Sequence, residues 1–459
     1  MRLTATEVAA ALYATAPVGC ETIFERVSTD TREDLAGCLY VALAGERFDG
    51  HAFIADAVKK GASGVVHARG EVPGGALSFK VADTLNALGQ LGLAARRKLA
   101  CPVGAVTGSF GKTTTKEMAV ELLTGAGKKV LATAGNLNNR VGMPKTLLGA
   151  SGDETVAVLE LGISLPGEMS ALTKSLRPDA AAVTGVGPAH TEGLLDVATV
   201  AREKMSIAEG LPDGGTLILP HGHPLLKPDG ELRERRIKVL TFGWDEGADF
   251  RGTDYASKGV GGSTFKVNGL DVAVALPGRH NAANALCAVA LASSLGAELK
   301  TAGPLGRMAG APLRGEVRRT AGGVNLLVDC YNANPGAVKA ALETLAELAG
   351  AARKLAVLGE MRELGDLSAS SHLEVGREAA RAGVARLFLF GVETGHTKEG
   401  ATDAGLTPAA VTIHETREEI ARELAREAGP GDWVLIKGSR STRLDELAEL
   451  LSTAKGDGR

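Results

Sequence analysis

The chain predicts an α/β protein of three units. These are a small mixed α/β unit over 1–99, a central parallel-sheet unit over 100–312, and a doubly wound, Rossmann-like unit over 313–459. Three observations carry the prediction. Apolar runs of strand length alternate with stretches of helical spacing, and the alternation restarts near residue 313. One such run, 103–106, leads straight into Gly108-Ser109-Phe110-Gly111-Lys112-Thr113-Thr114. Finally, 459 residues exceed what one hydrophobic core fills, at about 150 residues per domain.

Taken in order, residues 3–13 have the spacing of an amphipathic helix. Pro17-Val18-Gly19-Cys20 has the outline of a lipoprotein cleavage site. Thr6 and Glu7 interrupt the apolar core such a leader needs, and Arg2 is its only basic residue, so the helix is the better reading. Strands follow at 38–42 and 64–66, with the loop 45–51 between them. In the central unit, 103–106, 156–161, 180–186 and 216–219 read as strands, and 118–123, 169–176 and 197–209 as helices. A more β-like insertion spans 248–276, ahead of a helix over 281–295. Strands at 325–329, 354–358, 386–390 and 433–436 rebuild a sheet in the third unit. Its first turn reads Asn332-Ala333-Asn334-Pro335 rather than G-x-G-x-x-G, which argues against dinucleotide binding there. The tail 452–459 is expected to fray.

Composition narrows the function. A formal charge of −3 makes no electrostatic case for nucleic acid or an anionic membrane. No apolar run approaches membrane-spanning length, so membrane insertion is not expected. Cys20, Cys38, Cys101, Cys287 and Cys330 are scattered without a C-x-x-C pair, which fits small buried hydrophobes in a reducing cytosol.

The stretch from Gly108 to Thr114 carries the most chemistry. A strand that turns through glycines into a helix start aims backbone N–H groups and the positive helix end at an anion. Gly108 and Gly111 admit phosphates close to the backbone, Lys112 reaches terminal phosphates, and Thr113 can ligate Mg²⁺. Val106 stands where the strict G-x-x-x-x-G-K-[ST] pattern has its first glycine. The shorter form still predicts nucleoside triphosphate binding.

Glu160 closes the 156–161 strand, and parallel sheets place ligands at the carboxyl ends of their strands. Alone it reads as a solvated strand-end charge; beside a phosphate loop, a Mg²⁺ ligand is the better reading. His190 follows another strand, where either a hydrogen-bonded structural histidine or an unusual Mg²⁺ ligand fits. Lys204 has the helical spacing of a surface lysine, and Arg314 and Asp329 carry no signal by themselves.

Gly108–Thr114, Glu160-Leu161-Gly162, His190, Lys204, Asn281-Ala282-Ala283-Asn284 and Arg314-x-Glu316 occur in the order of the Mur ligase family, which this chain resembles over nearly its whole length. The stretches 135–144 and 329–335, the run Gly359-Glu360-Met361-Arg362-Glu363-Leu364-Gly365, His372, and Lys437-Gly438-Ser439-Arg440 are similar to the members that add D-alanyl-D-alanine. The Asp-Asn-Pro-Arg motif of the diaminopimelate-adding members is absent.

By that resemblance, Gly108, Ser109, Phe110, Gly111, Lys112, Thr113 and Thr114 hold ATP phosphates in an ATPase-type central domain. Lys112, Glu160, His190 and Lys204 form the catalytic set, and Thr113, Glu160, His190 and Lys204 serve two Mg²⁺ ions, Lys204 as a carbamate. Asn281 and Asn284 lie near adenine, while Arg314 and Asp329 reach phosphate and ribose from the third domain. Asp30 and Arg32, in Asp30-Thr31-Arg32, belong to a uridine-nucleotide domain. Asn136, Asn138, Asn139, Tyr331, Asn332 and Asn334 face the substrates. Three positions depart from the family pattern. Leu313 replaces a glycine, Glu360 an aspartate, and Val328 the first of an Asp-Asp pair.

The implied reaction joins the terminal carboxylate of UDP-MurNAc-tripeptide to the amine of D-Ala-D-Ala through an acyl phosphate, by a cytoplasmic monomer. A folylpolyglutamate synthase on the same scaffold, a P-loop kinase and a non-catalytic nucleotide-binding partner are the rival readings.

Overall fold

The computed structural model describes residues 1–14, 21–45, 48–299 and 302–453. Pro17 to Cys20, Glu46 and Arg47 of the 45–51 loop, and 454–459 of the expected frayed tail lie outside the described residues.

The N-terminal helix is shorter than its spacing suggested and runs Ala5–Leu12. Thr4 caps it in a reciprocal box with Glu7, so Leu3–Thr4 is free to pair with Ile23–Phe24 as an antiparallel strand. Four parallel strands form the sheet of this unit in the order Arg26–Ser28, Cys38–Val41, Gly64–His67 and Leu77–Lys80. Asp83 caps the helix Thr84–Lys98, whose basic last turn suits the negative end of the helix dipole. That helix lies on the central unit. Gly92 faces Pro144 so closely that an added Cβ would sit 2.7 Å from its ring, and the Arg96 guanidinium donates to the Leu176 carbonyl at 2.8 Å.

The central sheet has nine strands. Their order is Val130–Ala132, Val156–Glu160, Val103–Thr107, Ala180–Val183, Thr216–Pro220, Lys238–Gly243, Phe250–Ser257, Ser263–Val267 and Leu270–Val274. It is parallel until Phe250–Ser257 and antiparallel beyond, so the β-rich insertion extends the same sheet rather than forming another. The helix Arg279–Ser294 is buried along most of its length because alanine recurs at 282, 285, 288, 290 and 292, which lets it approach the helix Lys112–Gly125 closely. Two expected elements of the central unit end several residues early. The 180–186 strand stops at Val183 because Thr184 turns to bond the phosphate loop, and the 197–209 helix becomes 3₁₀ after Met205.

The third unit is built on another parallel sheet, with one antiparallel edge. Its order is Glu316–Arg319, Asn325–Val328, Trp433–Lys437, Lys354–Gly359, Arg386–Phe390 and Val411–His414. The chain's last strand sits between its second and third, a reversal of strand order that opens a crevice at the carboxyl ends. The last helix, Leu444–Thr453, still includes Ser452, whose hydroxyl donates to the Ala448 carbonyl, so the tail is ordered two residues further than expected. Cys38, Cys101, Cys287 and Cys330 are buried free thiols.

The contact at Gly92 generates a prediction. Gly92→Val forces a branched side chain against Pro144, an overpacking worth about 1–3 kcal/mol. The expected outcome is a lower midpoint in urea, with far-UV circular dichroism unchanged in its absence.

Candidate active site

The carboxyl edges of the two large sheets face each other, and between them lies a cleft of about 510 Å³. Its floor is the loop from Val103–Thr107 to the helix Lys112–Gly125. Gly111 adopts φ 79°, and a Cβ there would lie 2.4 Å from Asn284 Oδ1, so only glycine fits. The loop is braced from the neighbouring strand end, where Ser109 N–H donates to the Gly185 carbonyl at 2.8 Å and its hydroxyl to that of Gly187 at 3.0 Å. Thr184 Oγ1 donates to the Phe110 carbonyl.

Lys112 folds back and its Nζ donates to the Gly108 carbonyl at 2.8 Å. Burial lowers its pKa, against the opposing pull of Glu160. Lys204 is a correction to the bare spacing argument. It is 1% exposed, not a surface lysine, because its helix packs this face inward. Burial first, then the charge of Lys112, pushes its pKa well below the ordinary lysine value.

Glu160 is buried too. One oxygen, Oε1, accepts from Asn138 Nδ2 at 2.8 Å; the other, Oε2, has no hydrogen-bond partner. A buried carboxylate oxygen without a donor is costly unless a cation meets it. Among the described residues no three His, Cys, Asp or Glu side chains cluster as a ready cation cage. Mg²⁺ does not require one, since it is commonly held by one or two carboxylates plus substrate phosphate oxygens. Glu160, Thr113 and His190 line the cleft and offer that donor set. His190 Nδ1 pairs with Glu363 Oε2 at 2.5 Å, across from the second sheet.

The opposite wall comes from the third unit. Arg314 lies over the Tyr331 ring with its guanidinium carbon 4.1 Å from the centroid. Leu313 before it has φ 62°, a left-handed backbone that accounts for the glycine of the resembled family. Asn334 Nδ2 donates to the Ser109 carbonyl at 3.1 Å, tying this wall to the phosphate loop. Lys437 is buried and its Nζ donates to Asp329 Oδ2 at 2.6 Å. Asn281 Nδ2 donates to the Pro277 carbonyl and Asn284 Nδ2 to Asn281 Oδ1, leaving Asn284 Oδ1 directed at Gly111.

Most residues singled out in the sequence line this one cleft: 109–114, Asn136, Asn138, Asn139, Glu160, His190, Asn281, Asn284, Arg314, Asp329, Tyr331, Asn332 and Asn334. Gly108 sits directly beneath, and Lys204 beside Lys112. Asp30 and Arg32 do not join the cleft. They pair with each other at 2.6 Å on the N-terminal unit, where the Arg32 guanidinium holds the Asp30 carboxyl well below the usual range. His280, Lys437 and Glu363 were not singled out as site residues. Lys437 and Glu363 both lie in runs that resemble the family, but neither run by itself assigned them a role.

A phosphate loop at the carboxyl edge of one sheet, roofed by a second sheet's carboxyl edge, defines a nucleotide-dependent enzyme that reacts between domains. The Mur ligase middle domain matches residues 106–292, and the Mur ligase glutamate ligase domain matches 313–440. The UDP-N-acetylmuramoyl-tripeptide–D-alanyl-D-alanine ligase of Bacillus subtilis is 33% identical over 94% of this chain and 93% of its own length. A crystal structure of MurF from Acinetobacter baumannii superposes with a TM-score of 0.88 at 31% identity, covering 98% of this chain and 99% of that one. MurF from Thermotoga maritima in complex with ADP gives 0.81 at 28% identity, over 94% and 97%. The chain belongs to the Mur ligase family.

The fit of Gly111 against Asn284 generates a prediction. Gly111→Ala should weaken ADP at least about tenfold, roughly 1.4 kcal/mol, and should also lower the thermal melt through the same backbone strain and clash. Isothermal calorimetry measures it.

Proposed function

We propose that this chain is an ATP-dependent ligase that joins the terminal carboxylate of UDP-MurNAc-tripeptide to the amine of D-alanyl-D-alanine. The products are UDP-MurNAc-pentapeptide, ADP and phosphate. The observation that carries the reading is the meeting of a phosphate loop with a second sheet's carboxyl edge, on a chain 33% identical along its length to a ligase of that name. The same match favours this reading over the folylpolyglutamate synthase alternative.

A carboxylate does not expel oxide when an amine attacks it, so it must first be activated. The tripeptide carboxylate attacks the γ-phosphate, giving an acyl phosphate and ADP. The dipeptide amine then attacks the acyl carbon and phosphate leaves. The first step brings two anions together, so electrostatics and positioning dominate the barrier. The backbone N–H groups of 109–114 and the Lys112 ammonium hold the phosphates. Arg314 and Asp329 approach nucleotide phosphate and ribose from the third unit, and Asn281 and Asn284 bound the adenine side. Thr113, Glu160, His190 and a carbamylated Lys204 would hold two Mg²⁺ ions, which neutralise phosphate charge when bound.

Burial supports the carbamate. An uncharged amine is the form that adds CO₂, and the pocket around Lys204 disfavours its ammonium. Asn138, whose amide nitrogen donates to Glu160, faces substrate in the same cleft. Asn136, Asn139, Tyr331, Asn332 and Asn334 are the other substrate contacts, the last three nearest the dipeptide. Asp30 and Arg32 hold the uridine nucleotide, within units dividing at 99/100 and 312/313. The acyl phosphate must be kept from water, which is what closure over the cleft supplies. The free thiols agree with a reducing cytosol, where this reading has the chain act as a monomer.

With UDP-MurNAc-tripeptide, ATP, Mg²⁺ and D-Ala-D-Ala, the product should gain the dipeptide's mass, and phosphate should appear only with both peptides present. Donor carboxylate labelled with ¹⁸O should pass label to the released phosphate. Phosphate retained on a single substrate would mean a kinase instead. For Lys204, ¹³C-bicarbonate should give a carbamate carbon resonance in the wild type that Lys204→Ala lacks.

A further inference from the structure

We propose that Glu363 is a positioning residue for His190, delivered by the third unit, so that the cation site beside the phosphate loop is complete only when the two units close. The inference rests on the reading above in which His190 is a metal ligand.

The two residues stand 173 positions apart and on different sheets. His190 is on the turn that follows Ala180–Val183, and Glu363 on the loop that follows Lys354–Gly359. An ionised carboxylate only accepts hydrogen bonds, so the 2.5 Å contact assigns the proton to Nδ1. In the form of the ring that can bind a metal, the lone pair then lies on Nε2. That nitrogen has no hydrogen-bond partner among the described residues, and the ring lines the cleft with Glu160 and Thr113. This is the arrangement of a metal-binding imidazole whose second nitrogen is held by a carboxylate.

Stability does not explain the pair. Glu363 is 58% exposed, where an ion pair contributes little to folding. The backbone explains how it is aimed. His190 at φ 57° and Glu363 at φ 64° are both non-glycine residues in the left-handed region, and their loops interlock. Glu192 N–H donates to the Glu363 carbonyl at 3.1 Å, and Thr191 Oγ1 donates to the Leu364 carbonyl at 2.8 Å. Gly365, at φ 52°, leaves only 3.0 Å between a would-be Cβ and the Glu192 backbone. Glu363 therefore reaches His190 only when this seam is made.

The test titrates Mn²⁺ by electron paramagnetic resonance into the full chain holding a non-hydrolysable ATP analogue. Glu363→Ala should weaken Mn²⁺ about tenfold or more, while analogue affinity in EDTA is unchanged. Glu363→Gln, whose amide oxygen still accepts from Nδ1, should recover most of that loss. If the alanine variant does not fold, Glu363→Asp withdraws the carboxylate by one methylene and should weaken Mn²⁺ likewise. His190→Ala with Glu363→Ala should bind Mn²⁺ no worse than His190→Ala alone. Since coupling is reciprocal, Mn²⁺ should compact the wild type in X-ray scattering but not Glu363→Ala. Wild-type Mn²⁺ affinity in Glu363→Ala, beside a weakened His190→Ala, overturns the inference and leaves the ligase reading intact. Additive losses in the double variant also overturn it. Unchanged Mn²⁺ affinity in His190→Ala removes the metal role of His190 and the inference together.

Discussion

Two lysines crowded at the phosphate loop, one buried and one half-buried, set the terms for the rest of the molecule. Lys204 is buried, Lys112 is half-buried, and the charge of Lys112 bears on Lys204. Glu160 beside them keeps one oxygen unpartnered. Such a pocket is electrostatically unfinished. It is relieved by a polyanion with its counter-cations, or by changing the charge of a lysine itself. The architecture serves that condition. The parallel central sheet delivers the loop, Glu160 and His190 to one edge, and the helix Lys112–Gly125 points its N-terminus at the same place. The buried, alanine-rich helix Arg279–Ser294 then brings Asn284 against Gly111.

The second constraint is exclusion of water from a cleft that must also admit two large substrates. The seam between the central and third units includes several polar contacts besides the backbone bond from Glu192 to Glu363 and the hydroxyl bond from Thr191 to Leu364. Asn334 meets Ser109, Thr344 meets His280, Glu347 meets Tyr255 and Ser257, and Glu363 meets His190. Phe110 adds an apolar contact, packing against Gly336 as well as Gly185. A seam that is small and mostly polar suits opening and closing, unlike the continuous apolar core that fixes each sheet to its helices. Arg314 stacked on Tyr331 belongs to the third unit, so the charge it brings to the cleft comes from across the seam.

Legibility in the sequence followed the range of the interaction. The strands Val103–Thr107 and Arg386–Phe390 were plain because an unbroken apolar run flanked by turns needs no distant partner to be read. Val130–Ala132 and Glu316–Arg319 were not, being short edge strands without a distinctive pattern; their partners specify them. The β-rich insertion was legible as strands, but its membership of the central sheet was decided by pairing with Lys238–Gly243. Lys204 shows the same limit at a single residue, since helical spacing suggested an exposed face and packing buried it. Asn138 was legible as a cleft residue, whereas its hydrogen bond to Glu160 was not.

The sequence by itself determined the α/β alternation, the phosphate loop with its glycines and lysine, and, through ordered motifs, the family. All of these are carried by residues that are neighbours along the chain or recur in fixed order. Only the tertiary structure decided that Lys204 is dehydrated, that Glu160 has an unsatisfied oxygen, that Leu313 occupies a left-handed backbone, and that Glu363 meets His190. Those are properties of burial and of contacts between distant segments. Desolvation and hydrogen-bond geometry depend on what surrounds an atom in space, which spacing along a chain does not encode.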